Sequence, residues 1–128
     1  MKTISLSARL LLGLVFFVFG LNGFLAFIPM GPAPTGVAAQ FFMAMSQSHF
    51  MTVVFTLEAL CGLLLLAGRF VPLALSVLAP VIVNIFLFHA FMAPQGLPLA
   101  FLVTILWLLA AYQFRSLYST LFRPQLAA

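Results

Sequence analysis

One carboxylate, two asparagines, a threonine and a histidine stand where the chain offers little else that is polar. Glu58 is the only acid in 128 residues, and it lies inside an apolar run from Phe50 to Gly68. A charged carboxylate in hydrocarbon is costly, so Glu58 is expected to be neutral and hydrogen-bonded to Asn22 or Asn84. Such a group could take up a proton or grip the polar head of a lipophilic ligand. It could equally be a clasp between helices, because interhelical hydrogen bonds are common glue in membranes. Cys61 and Gly62, three and four residues on, share its helix face and would allow close helix approach.

Spacing from the basic residues gives each polar group a height. Asn22 lies thirteen residues after Arg9, and Glu58 eleven before Arg69. Asn84 lies fifteen after Arg69, and Thr104 eleven before Arg115. At helical rise, all four fall in one layer roughly 16–23 Å from the nearer boundary. Four helices each offering one polar group to one layer predicts an internal polar site.

His49 and His89 each stand twenty residues from Arg69, in opposite directions, and so reach similar heights near the far surface. Two histidines could bracket a headgroup, but a metal site normally takes three or four ligands, so no metal is expected. His89, deeper and following Asn84, is the functional candidate, because histidine titrates near physiological pH. His49 reads as an interfacial residue. The single cysteine, Cys61, excludes an intramolecular disulfide and a CxxC redox motif, and reads as a small packing residue. There is no phosphate loop, HExxH sequence or nucleophile elbow.

The elements that must carry these residues follow from composition. The chain is 66% apolar and 5% charged, which excludes a solvent-exposed domain surface. Its five basic residues are scattered, so nucleic acid is not an expected partner; the lipid bilayer is. Four apolar stretches approach the ~20 residues that cross a hydrocarbon core, with no period-two alternation. The expected fold is all-α: one transmembrane domain over residues 1–128, a four-helix bundle with helices near 7–28, 50–68, 71–93 and 97–115. The first apolar run is longer than the h-region of a cleavable signal and is read as a permanent span.

With four spans, Lys2, Arg9, Arg69, Arg115 and Arg123 all fall on one side, and the opposite loops hold no Lys or Arg. The positive-inside rule makes that side cytoplasmic and places both termini there. Pro29, Gly31, Pro32, Pro34 and Gly36 form a stiff outer connector. After it, residues 37–48 read as a short interfacial helix with Val37, Phe41, Ala44 and Met45 on one face, in a lid or packing role. Pro80 is expected to kink the third span and to free the Ser76 carbonyl. Gly13, Gly20 and Gly23 mark where another helix packs against the first. Asn22-Gly-Phe-Leu-Ala-Phe and Asn84-Ile-Phe-Leu-Phe-His both run into Pro/Gly loops, a faint echo that would suit two parallel hairpin repeats.

In order and spacing the chain resembles the DoxX-like family of small bacterial four-helix membrane proteins. The resemblance is carried by Arg9-Leu-Leu-Leu-Gly-Leu-Val-Phe, Phe-Gly-Leu-Asn22, and Glu58 with Gly62-Leu-Leu-Leu-Leu and Gly68-Arg69-Phe. Ala79-Pro80-Val-Ile-Val-Asn84 with His89 completes it. The resemblance implies a bacterial cytoplasmic membrane and, for some relatives, a subunit of a thiosulfate:quinone oxidoreductase. Where the family often places Lys after the asparagine of helix one, this chain has Gly23, which leaves Glu58 without an intramembrane cation.

Three readings follow. In the first, the chain is a small subunit of a quinone-linked redox system, with Glu58, Asn84 and His89 lining a quinone pocket. Lacking a cofactor motif of its own, it would then need a redox partner protein. In the second it is a non-enzymatic scaffold or assembly partner, including assembly with its own copies. In the third it carries a small lipophilic molecule.

Overall fold

In a computed structural model the protein is described over residues 1–125. All regular structure among the described residues is helical: α1 Lys2–Leu25, α2 Gly36–Gln47, α3 Phe50–Ala67, α4 Val71–Phe91, α5 Leu97–Ala111 and α6 Arg115–Ser119. Single 3₁₀ turns at Pro94–Gly96, Tyr112–Phe114 and Thr120–Phe122 join or extend them. Four stretches are long and apolar enough to cross a membrane: α1, α3, α4, and the run from Pro94 to Phe122 that contains α5.

The helix ends have local causes. α1 begins at Lys2, earlier than position 7, and stops at Leu25 rather than near 28, because Ala26 turns left-handed at φ 50°. α3 ends on Gly68, also left-handed at φ 68°. There the Arg69 N–H reaches back to the Leu64 carbonyl at 3.1 Å, the paired-carbonyl closure that glycine favours. Pro72 lies in the first turn of α4, where a missing N–H costs nothing. α4 continues through Pro80 to Phe91. α5 is shorter than the expected 97–115, since its last turn tightens to 3₁₀ at Tyr112.

α1 packs on α3, α3 on α4, α4 on α5, and α5 back on α1, so the four spans form a closed ring. Lipid tails are as apolar as leucine, so close packing rather than the hydrophobic effect must hold such a ring together. The α1–α3 seam shows how. A methyl group at Gly20 would fall on the Ala59 backbone, and one at Gly62 on that of Phe17. The buried positions of α1, among them Ser5, Ala8, Leu12, Phe16 and Gly20, recur in steps of three or four and trace the face turned inward. Leu12, Leu65, Leu75 and Leu78 fill the centre with no exposed surface.

Long side chains tie the C-terminal half to the start of α4. Trp107 Nε1 donates to the Leu75 carbonyl at 2.8 Å, and the Tyr118 hydroxyl donates to the Pro72 carbonyl at 2.8 Å. The start of α1, the α3–α4 turn and α6 therefore gather at one end of the bundle. α2 lies at the other end against α3, and its Phe41 ring meets Phe88 of α4 at 5.6 Å. Ala38 is the buried residue of α2, with Phe41 and half-buried Met45 on the same side, while Val37 and Ala44 of the expected face are exposed.

Candidate functional site

Glu58 sits on the inner face of α3 with Cys61, Gly62 and Leu65, and is 7% exposed. That face is set by the α1–α3 seam: Gly20 approaches Phe55 and Ala59, on either side of Glu58 in sequence, and Gly13 approaches Gly62 and Leu65. The close pairing at this level buries most of the residue, while its carboxyl oxygens are not sealed from the surface. None of the side-chain hydrogen bonds among the described residues involves Glu58, and no cation pairs with it. It is a buried acid with its bonding capacity unspent.

The other members of the expected polar layer are committed elsewhere. Asn22, 7% exposed, was expected to meet Glu58; instead it binds the loop beyond its own helix. The Ile28 N–H donates to its Oδ1 at 2.7 Å, and its Nδ2 donates to the Ile28 carbonyl at 3.2 Å. Asn84 is exposed on the outside of α4, and its Nδ2 donates to the Pro80 carbonyl at 2.8 Å, so it does not reach Glu58 either. Thr104 Oγ1 donates to the Ala100 carbonyl at 2.8 Å. The structure does not bring the four groups together: Asn84 points outward, and Asn22 and Thr104 bond to backbone nearby in sequence.

His89 is fixed by the loop that follows it. Its Nδ1 lies 3.0 Å from the Ala93 carbonyl, which makes Nδ1 the protonated nitrogen and leaves Nε2 uncommitted. Its ring fills the space beside Gly96, where any larger residue would collide with it. His49 is exposed and left-handed at φ 61°, just before α3. Two shallow apolar grooves run along the surface. One, about 280 Å³, is lined by Thr3, Ile4, Ser7, Ala8, Leu11, Leu106 and Leu109 of α1 and α5. The other, about 400 Å³, lies between Phe17 and Phe24 of α1 and Thr56, Ala59, Leu60 and Leu63 of α3. Neither includes Glu58, Asn84 or His89.

Two residues escaped notice as binding groups. Ser5 is 1% exposed, and its Oγ has no hydrogen-bond partner; Arg9, four residues on, has a buried Nε with none. The signal was present in their spacing, since residues four apart share a helix face. Arg9 was read for its charge alone.

The family model described as DoxX matches residues 4–90, which covers α1 to α4. No curated protein and no solved structure matches the chain.

Proposed function

The chain belongs to the DoxX family, and we propose that it is a small membrane subunit of a quinone-linked redox system in which Glu58 holds the ligand headgroup. One observation carries this reading: Glu58 is buried and unbonded, while Asn22, Asn84, Thr104 and His89 are each bonded to backbone within six residues. A carboxyl suits such a ligand in both oxidation states. Protonated, it donates to a quinone carbonyl; ionised, it accepts from a quinol hydroxyl. What supports the ligand is the carboxyl's bonding chemistry alone: neither groove includes Glu58, and Asn84 faces outward and cannot share the site. A bound quinone would supply the electron-accepting chemistry, and the chain's part is to seat it and to relay a proton at Glu58. Electrons would come from a partner protein.

In this reading the protein lies in the bacterial cytoplasmic membrane with both termini cytoplasmic. Support comes from the five basic residues, of which Lys2, Arg9, Arg69 and Arg115 belong to the end where α1 starts and α3 turns into α4. α2 would then cover the opposite mouth, close to the outer interface.

A second reading, assembly with another helix or a second copy, is favoured by Asn84. It stands on the outward stripe of α4 with Leu73, Ser76, Pro80 and Leu87, its Oδ1 unbonded among the described residues. An amide turned toward hydrocarbon gains from a partner of its own kind.

Lipid extraction from the purified protein separates these readings. Quinone that co-purifies with wild type and with Asn84→Val, but not with Glu58→Gln, supports the ligand site. Absence of quinone from all three, with oligomers lost only in Asn84→Val, replaces it with the assembly reading. Solute movement into vesicles by the chain alone would overturn both in favour of a carrier.

A further inference from the structure

We infer that the end of the bundle bearing the α3–α4 turn binds a phosphate oxyanion, with Arg9 as its principal ligand and Ser5 as a second donor. The inference is independent of Glu58 and begins from two donors without acceptors. Arg9 is half-buried, and its Nε is sealed from solvent with no hydrogen-bond partner. One turn earlier on the same face, Ser5 is 1% exposed, and its Oγ is also without a partner. A buried polar group left unbonded carries an uncompensated desolvation cost, larger where it is charged.

Among the described residues the chain sets no acid beside Arg9. Its only acid, Glu58, lies ten residues before Gly68 on α3, about 15 Å away along that helix. Arg9 itself lies against Gly68: a Cβ there would stand 3.4 Å from both Nη1 and Nη2. Glycine therefore keeps the guanidinium fork uncovered on that side, and the next residue, Arg69, brings a second cation to the same turn. A half-buried guanidinium that lies over a glycine and has no counter-ion among the described residues can offer an oxyanion two parallel N–H bonds.

Phosphate fits this position better than a carboxylate side chain from a soluble partner. The site lies at the end of a membrane span, level with the headgroups, and basic pockets between spans are where anionic lipid headgroups bind. The same chemistry would be met by a lipid phosphodiester or by free phosphate.

The test uses the full chain in detergent, titrated with phosphatidylglycerol or phosphatidylcholine and followed by native mass spectrometry. Wild type should retain phosphatidylglycerol over phosphatidylcholine by about tenfold. Arg9→Gln should abolish that preference, Arg9→Lys should keep only part of it, and Arg123→Gln should leave it intact. Ser5→Ala should lower retention by a few-fold while leaving the melting temperature of the lipid-free protein unchanged or higher, since an unbonded hydroxyl has been removed. An excess of inorganic phosphate that displaces the lipid would name free phosphate as a ligand of the same site; failure to displace it would name the lipid. Equal losses in Arg9→Gln and Arg123→Gln would reduce the effect to diffuse charge and overturn the inference. So would full retention in Arg9→Gln or, if that variant does not fold, in Arg9→Lys and Ser5→Ala together.

Discussion

Asn22 and Ile28 hold each other twice, through the Ile28 N–H on Oδ1 at 2.7 Å and the Asn22 amide on the Ile28 carbonyl at 3.2 Å. With Ala26 left-handed between them, the asparagine side chain takes over the bonding that the helix has just abandoned. Asn22→Leu should therefore destabilise the protein by about 1–3 kcal/mol. Asn22→Asp, which keeps the shorter bond, should cost less. Thermal unfolding in detergent would order the three proteins, and equal stability would show that the loop is held by something else.

Glu58 predicts the opposite pattern. No protein partner is lost when it is replaced, so Glu58→Gln and Glu58→Leu should unfold within about 0.5 kcal/mol of wild type or above it. A residue that served as helix glue would lose roughly 0.6–2 kcal/mol on the same scale. Stability measured on lipid-extracted protein therefore decides between ligand group and clasp without any knowledge of the ligand.

The α1–α3 seam should be intolerant of volume. Gly62→Leu would drive a side chain into the Phe17 backbone, with a loss of at least about 3 kcal/mol or failure to fold. Leu14→Ala, on an exposed position of α1, should change little. Resistance of the purified bundle to denaturing detergent would report the difference.

Trp107→Phe and Tyr118→Phe each remove one hydrogen bond to the start of α4 and should cost about 0.5–1.5 kcal/mol apiece. Tyr118→Phe should in addition speed proteolysis after Arg115, because that hydroxyl is what anchors α6 to Pro72. An unchanged cleavage rate would mean that packing alone secures the segment.

Much of this architecture was legible in the sequence, and the part that was not has a single cause. The four spans announce themselves by length and hydropathy. Gly13 and Gly20 give away the seam, because only a close helix contact rewards glycine there. Direction around the helix was not readable. In a soluble helix the polar face marks what points outward, but here Leu78 in the core and Leu73 on the surface are the same residue type. With that contrast gone, Asn84 could not be distinguished from Glu58 as an inward group. Asn22 misled for a different reason: its partner lies across a left-handed turn that spacing alone does not reveal.

The closed order of the ring has a bearing on how the protein is made. α1 and α3, the most closely fitted pair, are both made before α4, and α2 comes between them. They can zip together before α4 exists. α4 then packs on α3, and α5 has to meet α1, which was made well before it. The side chains of Trp107 and Tyr118, made after α4, reach back to its opening turns. The start of α4 is thus latched by two aromatic side chains that are synthesised later than the helix they hold.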